Sequence, residues 1–194
     1  MQFPTRYALL ALTLLLASCA RPPLIPSPLA NSRICCKSLE EIQTGSLKLD
    51  ETTSVSFDAN TSPVFPFPEG NGVFAAYMLP ESSNGALLEL RAFISGGPSL
   101  TTMTIVRANA WFLDASHNPL PGPREAPLRT RRGLMAWSMS NIATYTVPDN
   151  ARYVIVYSGS PYAERPMRSS ENGTQYGIPY AYSGKVDVTL RRGN

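Results

Sequence analysis

Ala86-Leu87-Leu88-Glu89-Leu90-Arg91-Ala92-Phe93-Ile94 is the stretch on which the fold turns. Leu88, Leu90 and Ala92 recur at every second position, with Glu89 and Arg91 between them. That spacing puts one apolar and one polar face on an extended chain, the mark of a half-buried β-strand. Turn-forming residues bracket it: Pro80-Glu81-Ser82-Ser83-Asn84-Gly85 before, and Ser95-Gly96-Gly97-Pro98 after.

The same period extends outward in both directions. Thr53-Ser54-Val55-Ser56-Phe57-Asp58 alternates, and so does Gly184 to Arg191 through Val186, Val188 and Leu190. Val73 to Leu79 is apolar and aromatic throughout. Thr102 to Leu113 is the longest candidate, and the spacing of Met103, Ile105, Ala108, Ala110 and Phe112 predicts a bulge midway. Arg152 to Tyr157 carries Val154-Ile155-Val156, as a central strand buried on both faces does. Shorter strands are expected at Gly45–Leu49, Leu134–Ser138 and Ala143–Val147. Lys37-Ser38-Leu39-Glu40-Glu41-Ile42 reads as one helical turn, with Ser38 a cap and Glu41 three residues on. No long amphipathic helix separates the strands, which argues against a parallel α/β sheet. The expected fold is all-β: an antiparallel sandwich of about seven to nine strands, with a closed barrel as the alternative. Ser116 to Gly133, rich in proline and arginine, reads as a surface excursion.

The N-terminus has a different character. Arg6 precedes the apolar run Ala8 to Leu16, which is long enough for a signal h-region but short of the roughly 20 residues that span a bilayer. It closes on Leu16-Ala17-Ser18-Cys19, which resembles the lipobox of bacterial lipoproteins. The resemblance implies acylation of Cys19, removal of residues 1–18 and a membrane anchor of several acyl chains. Ala20 after the cysteine favours, by the same resemblance, the outer membrane, facing the periplasm. Arg21-Pro22-Pro23-Leu24-Ile25-Pro26-Ser27-Pro28-Leu29 is expected to be an extended tether. Residues 19–31 would then be the tether and 32–194 a single folded domain.

Hydrophobic content of 43% and charged content of 16% fit a globular chain. A net charge of +3 is too small to point to nucleic acid. Of the three cysteines, Cys35 and Cys36 are adjacent. A vicinal disulfide, two reduced buried thiols and links between chains all remain open.

Ser62-Pro63-Val64-Phe65-Pro66-Phe67-Pro68-Glu69-Gly70, followed by Gly72-Val73-Phe74-Ala75-Ala76-Tyr77-Met78-Leu79-Pro80, resembles the maltose operon periplasmic protein (MalM) family. Ala110-Trp111-Phe112-Leu113-Asp114 with its polar turn, the Arg152–Tyr157 strand and the Cys35-Cys36-Lys37-Ser38-Leu39 start fit the same pattern. The resemblance implies an envelope protein associated with maltodextrin uptake. It carries no catalytic residues, and the chain lacks the extra C-terminal region of the longer members.

The search for chemistry returns little. His117 is the only imidazole, set in a turn, so any Ser-His-Asp arrangement would have to use it. No Gly-x-Ser-x-Gly elbow is present, and Gly184-Lys185 lacks phosphate-loop spacing. Glu40-Glu41 and Asp50-Glu51 read as solvated charges rather than a facing pair. No cofactor or metal is expected. Two surfaces are candidates for binding. Tyr162, Tyr176, Tyr180 and Tyr182 offer flat rings suited to sugars. Arg124, Arg129, Arg131 and Arg132 offer guanidinium forks suited to phosphate or carboxylate. The expected role is a non-catalytic carbohydrate-associated lipoprotein. The alternative is a structural or adaptor subunit docked on an envelope complex.

Overall fold

The computed structural model describes residues 27–96, 102–122, 129–131, 139–162, 167–169 and 175–193. Two β-sheets pack face to face, with no closed barrel, so the fold is a β-sandwich. Eight of its strands have four or more residues: β2 (Thr52–Phe57), β3 (Val64–Phe67), β4 (Gly70–Met78), β5 (Leu87–Ser95), β7 (Ala108–Leu113), β9 (Ser140–Thr146), β10 (Tyr153–Ser158) and β14 (Gly184–Arg191). Short strands fill the edges and corners: β1 (Thr44–Ser46), β6 (Thr104–Val106), β8 (Arg129–Arg131), β11 (Met167–Ser169), β12 (Gln175–Gly177) and β13 (Tyr180–Ala181). They are too short to show a periodicity, and so take the total beyond the seven to nine expected.

The larger sheet is built on β5, the opening stretch of the sequence. β14 and β9 flank it antiparallel, β2 extends beyond β14 and β8 beyond β9. The smaller sheet runs β4, β10, β7, with β3 and β1 sharing the other edge of β4. Two pairings are parallel rather than antiparallel, β1 with β4 and β13 with β6. β11 and β12 form a separate ribbon.

The interior follows from the alternation. Leu88 and Leu90 of β5, Val186, Val188 and Leu190 of β14, and Ala143 and Tyr145 of β9 face Val73, Phe112, Val154 and Val156 of the smaller sheet. Each fully buried aliphatic side chain contributes about 1.5–3 kcal/mol of transfer free energy. β4 and β10 are buried on both faces, because the smaller sheet carries a second core on its outer side. There Phe65, Phe67, Phe74, Ile155 and Tyr157 cluster under Ile42, Leu39 and Cys36. Phe67 stacks on Tyr157 at 4.0 Å and 13°, and Trp111 meets Phe67 edge-on at 5.7 Å.

Thr102 to Leu113 departs from expectation. It is two strands, β6 in the larger sheet and β7 in the smaller, with Arg107 at the joint. The adjacent buried pair Ile105-Val106 is where the phase of the alternation changes. The chain changes layer there instead of bulging within one. Arg129–Arg131, expected in a loop, is edge strand β8. Leu134–Ser138 lies outside the described residues.

The N-terminal boundary also shifts. Leu29, expected in the tether, belongs to the main core. Asn71 donates from Nδ2 to the Leu29 carbonyl at 2.9 Å and to Asn31 Oδ1 at 2.8 Å. The helical turn is a 3-10 turn at Leu39–Glu41 with Ser38 at its N-cap position. The Ser38 side chain makes no capping bond; instead the Lys37 amide donates to Glu41 Oε2 at 2.8 Å.

Candidate functional site

Three turns meet at one end of the sandwich. The first, Glu81–Ser83, follows β4. The second, residues 114–118, follows β7, and the third, residues 148–152, leads into β10. Between them lies a cleft of about 300 Å³, lined by Glu81, Asn84, Asp114, Ala115, Ser116, Asn150, Ala151 and Arg152. Its side chains are mostly polar: two carboxylates, two amides, a hydroxyl and a guanidinium.

The 114–118 turn is held by one carboxylate. Asp114 Oδ1 accepts from the amides of Ser116 at 2.8 Å and Asn118 at 2.9 Å, and Oδ2 accepts from Asn118 Nδ2 at 3.2 Å. The backbone bond from Asn118 is the main reason its carboxyl titrates below the usual range. This tight turn places His117 at φ 62°, a conformation that His, Asn and Asp enter more readily than most residues. It also lays the imidazole on the Tyr153 ring, 4.4 Å away and 16° from parallel. Asn150, opposite, is likewise in the left-handed region at φ 65°. Across the cleft Arg152 lies 4.0 Å from Glu81, the arginine side chain about half exposed and the glutamate almost wholly so. Such an exposed pair contributes little to stability, so both groups are open to a ligand.

Asp114, Ser116 and His117 have the residue types of a triad but not its geometry. Among the described residues no hydrogen bond joins the imidazole to Asp114 or to the Ser116 hydroxyl, and the ring is turned onto Tyr153. The arrangement presents donors and acceptors to the cleft, several of them fixed by the turns that carry them. Nothing in the sequence marked Glu81, Asn84 and Asn150 as a set, because they are 69 positions apart at the extremes and meet only through the register of β4 and β10.

The expected tyrosine surface is not one surface. Tyr180 and Tyr182 are each 5% exposed and belong to the main core, while Tyr162 is 55% exposed. Burial raises the Tyr182 hydroxyl, with Tyr162 nearby as a smaller cause. For Tyr176 only the backbone is described, in β12. Of the arginines, Arg129 is an exposed residue of β8, and Arg131 occupies the register position opposite Ser140. Arg124 and Arg132, like Cys19, lie outside the described residues.

Cys35 and Cys36 are joined by a disulfide between neighbours. Cys35 is exposed, and its amide donates to the Val64 carbonyl at 2.9 Å. Cys36 packs against the outer aromatic core. Among the described residues no group of three His, Cys, Asp or Glu side chains could hold a metal ion. None of the described helices is long and apolar enough to cross a membrane. No family model, curated protein or solved structure matches the chain.

Proposed function

We propose that this chain is a lipid-anchored, non-catalytic envelope protein that binds glycan in the cleft between the Glu81, Asp114 and Asn150 turns. The observation that carries the reading is the lining of that cleft. Carboxylate, amide, hydroxyl and guanidinium side chains line it and offer both donors and acceptors to neighbouring hydroxyls, and His117, next to Ser116, stacks on Tyr153 outside the lining. Sugar hydroxyls, each both donor and acceptor, are held by such a mixture of directed polar groups. At about 300 Å³ the cleft is at the small end of ligand sites, suited to one or two rings of a longer chain. Asp114 is committed to holding its own turn, which leaves Glu81, Asn84, Asn150 and Arg152 as the groups for the ligand. The Leu16-Ala17-Ser18-Cys19 ending supports the anchor, and the sequence pattern from Ser62 to Pro80 supports maltodextrins as the first glycans to try.

Calorimetric titration of the protein with maltooligosaccharides tests this. Saturable heat is expected, with Glu81→Gln and Asn84→Ala each weakening binding roughly tenfold, the worth of one well-placed hydrogen bond to a charged or buried group. Heat that is unchanged in both variants, or absent with every glycan, would remove the cleft reading. It would leave the adaptor role, for which crosslinking to one defined envelope subunit is the supporting result.

A further inference from the structure

The outer face of the larger sheet gathers basic side chains that are far apart in the sequence. Strand register aligns Ser54, Asp187, Arg91, Ile142 and Arg129 in one row across β2, β14, β5, β9 and β8. In the next row Lys185 lies opposite Ser56, and Phe93 and Arg131 lie opposite Ser140. Phe93 is flanked by two cations, the Arg91 guanidinium at 4.8 Å and the Lys185 ammonium at 5.3 Å from its ring centre. The face has acids too, but they lie lower. Asp187 and Glu89 side chains are 19% and 26% exposed, whereas their partners Lys185 and Arg191 are 53% and 59% exposed. Cations are therefore more exposed than the acids beside them, Lys185 with Arg91 around the Phe93 ring and Arg191 at the other end of β14.

This patch also has a defined place. The chain enters the fold at Leu29, beside Asn71 at the start of β4 and Tyr182 just before β14. Lys185 and Phe93 lie at that same end of β14 and β5. The cleft is at the opposite end. Nine residues, 20–28, separate the lipobox cysteine from Leu29, a reach of up to roughly 30 Å.

We infer that this face, centred on Phe93, Lys185, Arg91 and Arg129, docks on the anionic phospholipid surface to which Cys19 ties the chain. The inference rests on the anchored reading above. The occupant follows from charge complementarity and from the tether. A flat sheet face crowned by cations fits a plane of headgroup phosphates, and a short leash at the same end keeps that plane within reach. Phe93, held between two cations, supplies apolar area at headgroup depth.

The test uses the acylated full-length protein, its acylation read by intact mass, placed on vesicles of phosphatidylcholine alone or mixed with phosphatidylglycerol. A fluorophore on Ser56→Cys reports the basic face and one on Asn84→Cys reports the cleft end. The vesicles carry a headgroup quencher. The Ser56 probe should be quenched on anionic vesicles and released by raised salt, while the Asn84 probe stays bright. Lys185→Glu and Arg129→Glu should each lower the docked fraction about fivefold, and Lys185→Arg should retain it. Both positions, Lys185 and Arg129, are exposed on the sheet surface, and thermal melting checks that each of the three variants folds. Equal quenching on neutral and anionic vesicles, or none on either, with the acyl chains present, would overturn docking. A chain that lacks acyl chains yet shows salt-sensitive quenching on anionic vesicles would support docking and sink the anchor instead.

Discussion

A side chain cannot be added at Gly72 without moving backbone. A Cβ there would sit 2.5 Å from the Ser158 carbonyl oxygen and 3.2 Å from the Phe67 ring, so β3, β4 and β10 close on it from two sides. Gly72→Ala should cost about 1–3 kcal/mol, read from the urea midpoint, by forcing these strands apart. Asp114 governs a different observable. Its carboxyl titrates lower folded than unfolded, first because of the Asn118 amide. The stabilisation it lends the turn is therefore fully present above the ordinary carboxylate range and is lost as pH falls through the lower, folded value. Carboxyl carbon shifts followed by NMR should place Asp114 below an unfolded aspartate, and Asp114→Asn should abolish that acid-dependent loosening of His117 from Tyr153. Single residues were the least legible part of the sequence. Tyr180 and Tyr182 looked like a ligand surface, yet they end in the core. A tyrosine has the same composition signal in either place, and only the fold decides which.

Elements were far more legible, because period two survives any detail of packing. β2, β5 and β14 were all visible as alternating runs, and β10 as a doubly buried one. What escaped were the short strands β8, β11, β12 and β13, and β3, whose Pro66 has no amide to donate and so fits an edge position. The change of layer at Arg107 was visible as a break of phase but not as a change of sheet. Both orders of alternation bury the same residues, and the destination depends on strands far away in sequence. Leu90 lies at the centre of β5 and is fully buried. Leu90→Ala should cost about 2–5 kcal/mol. Thr52→Ala at the exposed start of edge strand β2 should change stability by no more than about 0.5 kcal/mol. The Cys35–Cys36 bond belongs with the weak contributors. It joins neighbours, so it closes almost no loop and ties no element to another. Replacing both cysteines by alanine should shift the unfolding free energy by less than about 1 kcal/mol.

As a whole the molecule has two unlike ends. β4 spans nine residues, about 30 Å, from the point near Asn71 where Leu29 packs to the turn that borders the cleft. The polar cleft is at the far end and the basic face lies toward the near end, so the glycan and the phospholipid plane proposed above would meet different parts of the surface. None of this polarity was in the sequence, since it arises from which turns the register brings together. The sandwich itself was legible, because alternation together with the lack of long amphipathic helices left few other ways to bury the apolar residues. One consequence is mechanical. Load delivered through residues 19–28 arrives first at Leu29, which is clasped by Asn71. It passes next to Ile34, bridged to Val64 in parallel, and to the Arg33 guanidinium on the Ser62 carbonyl. These contacts join the leading segment to β3 and β4 at the edge of the smaller sheet, and none of them pairs one of the long strands with another. Pulled through its leading segment, the protein should yield there first and release residues 29–42 as slack while the long strands stay paired, so on the anchored reading proposed above that segment would work as a fuse between membrane and domain.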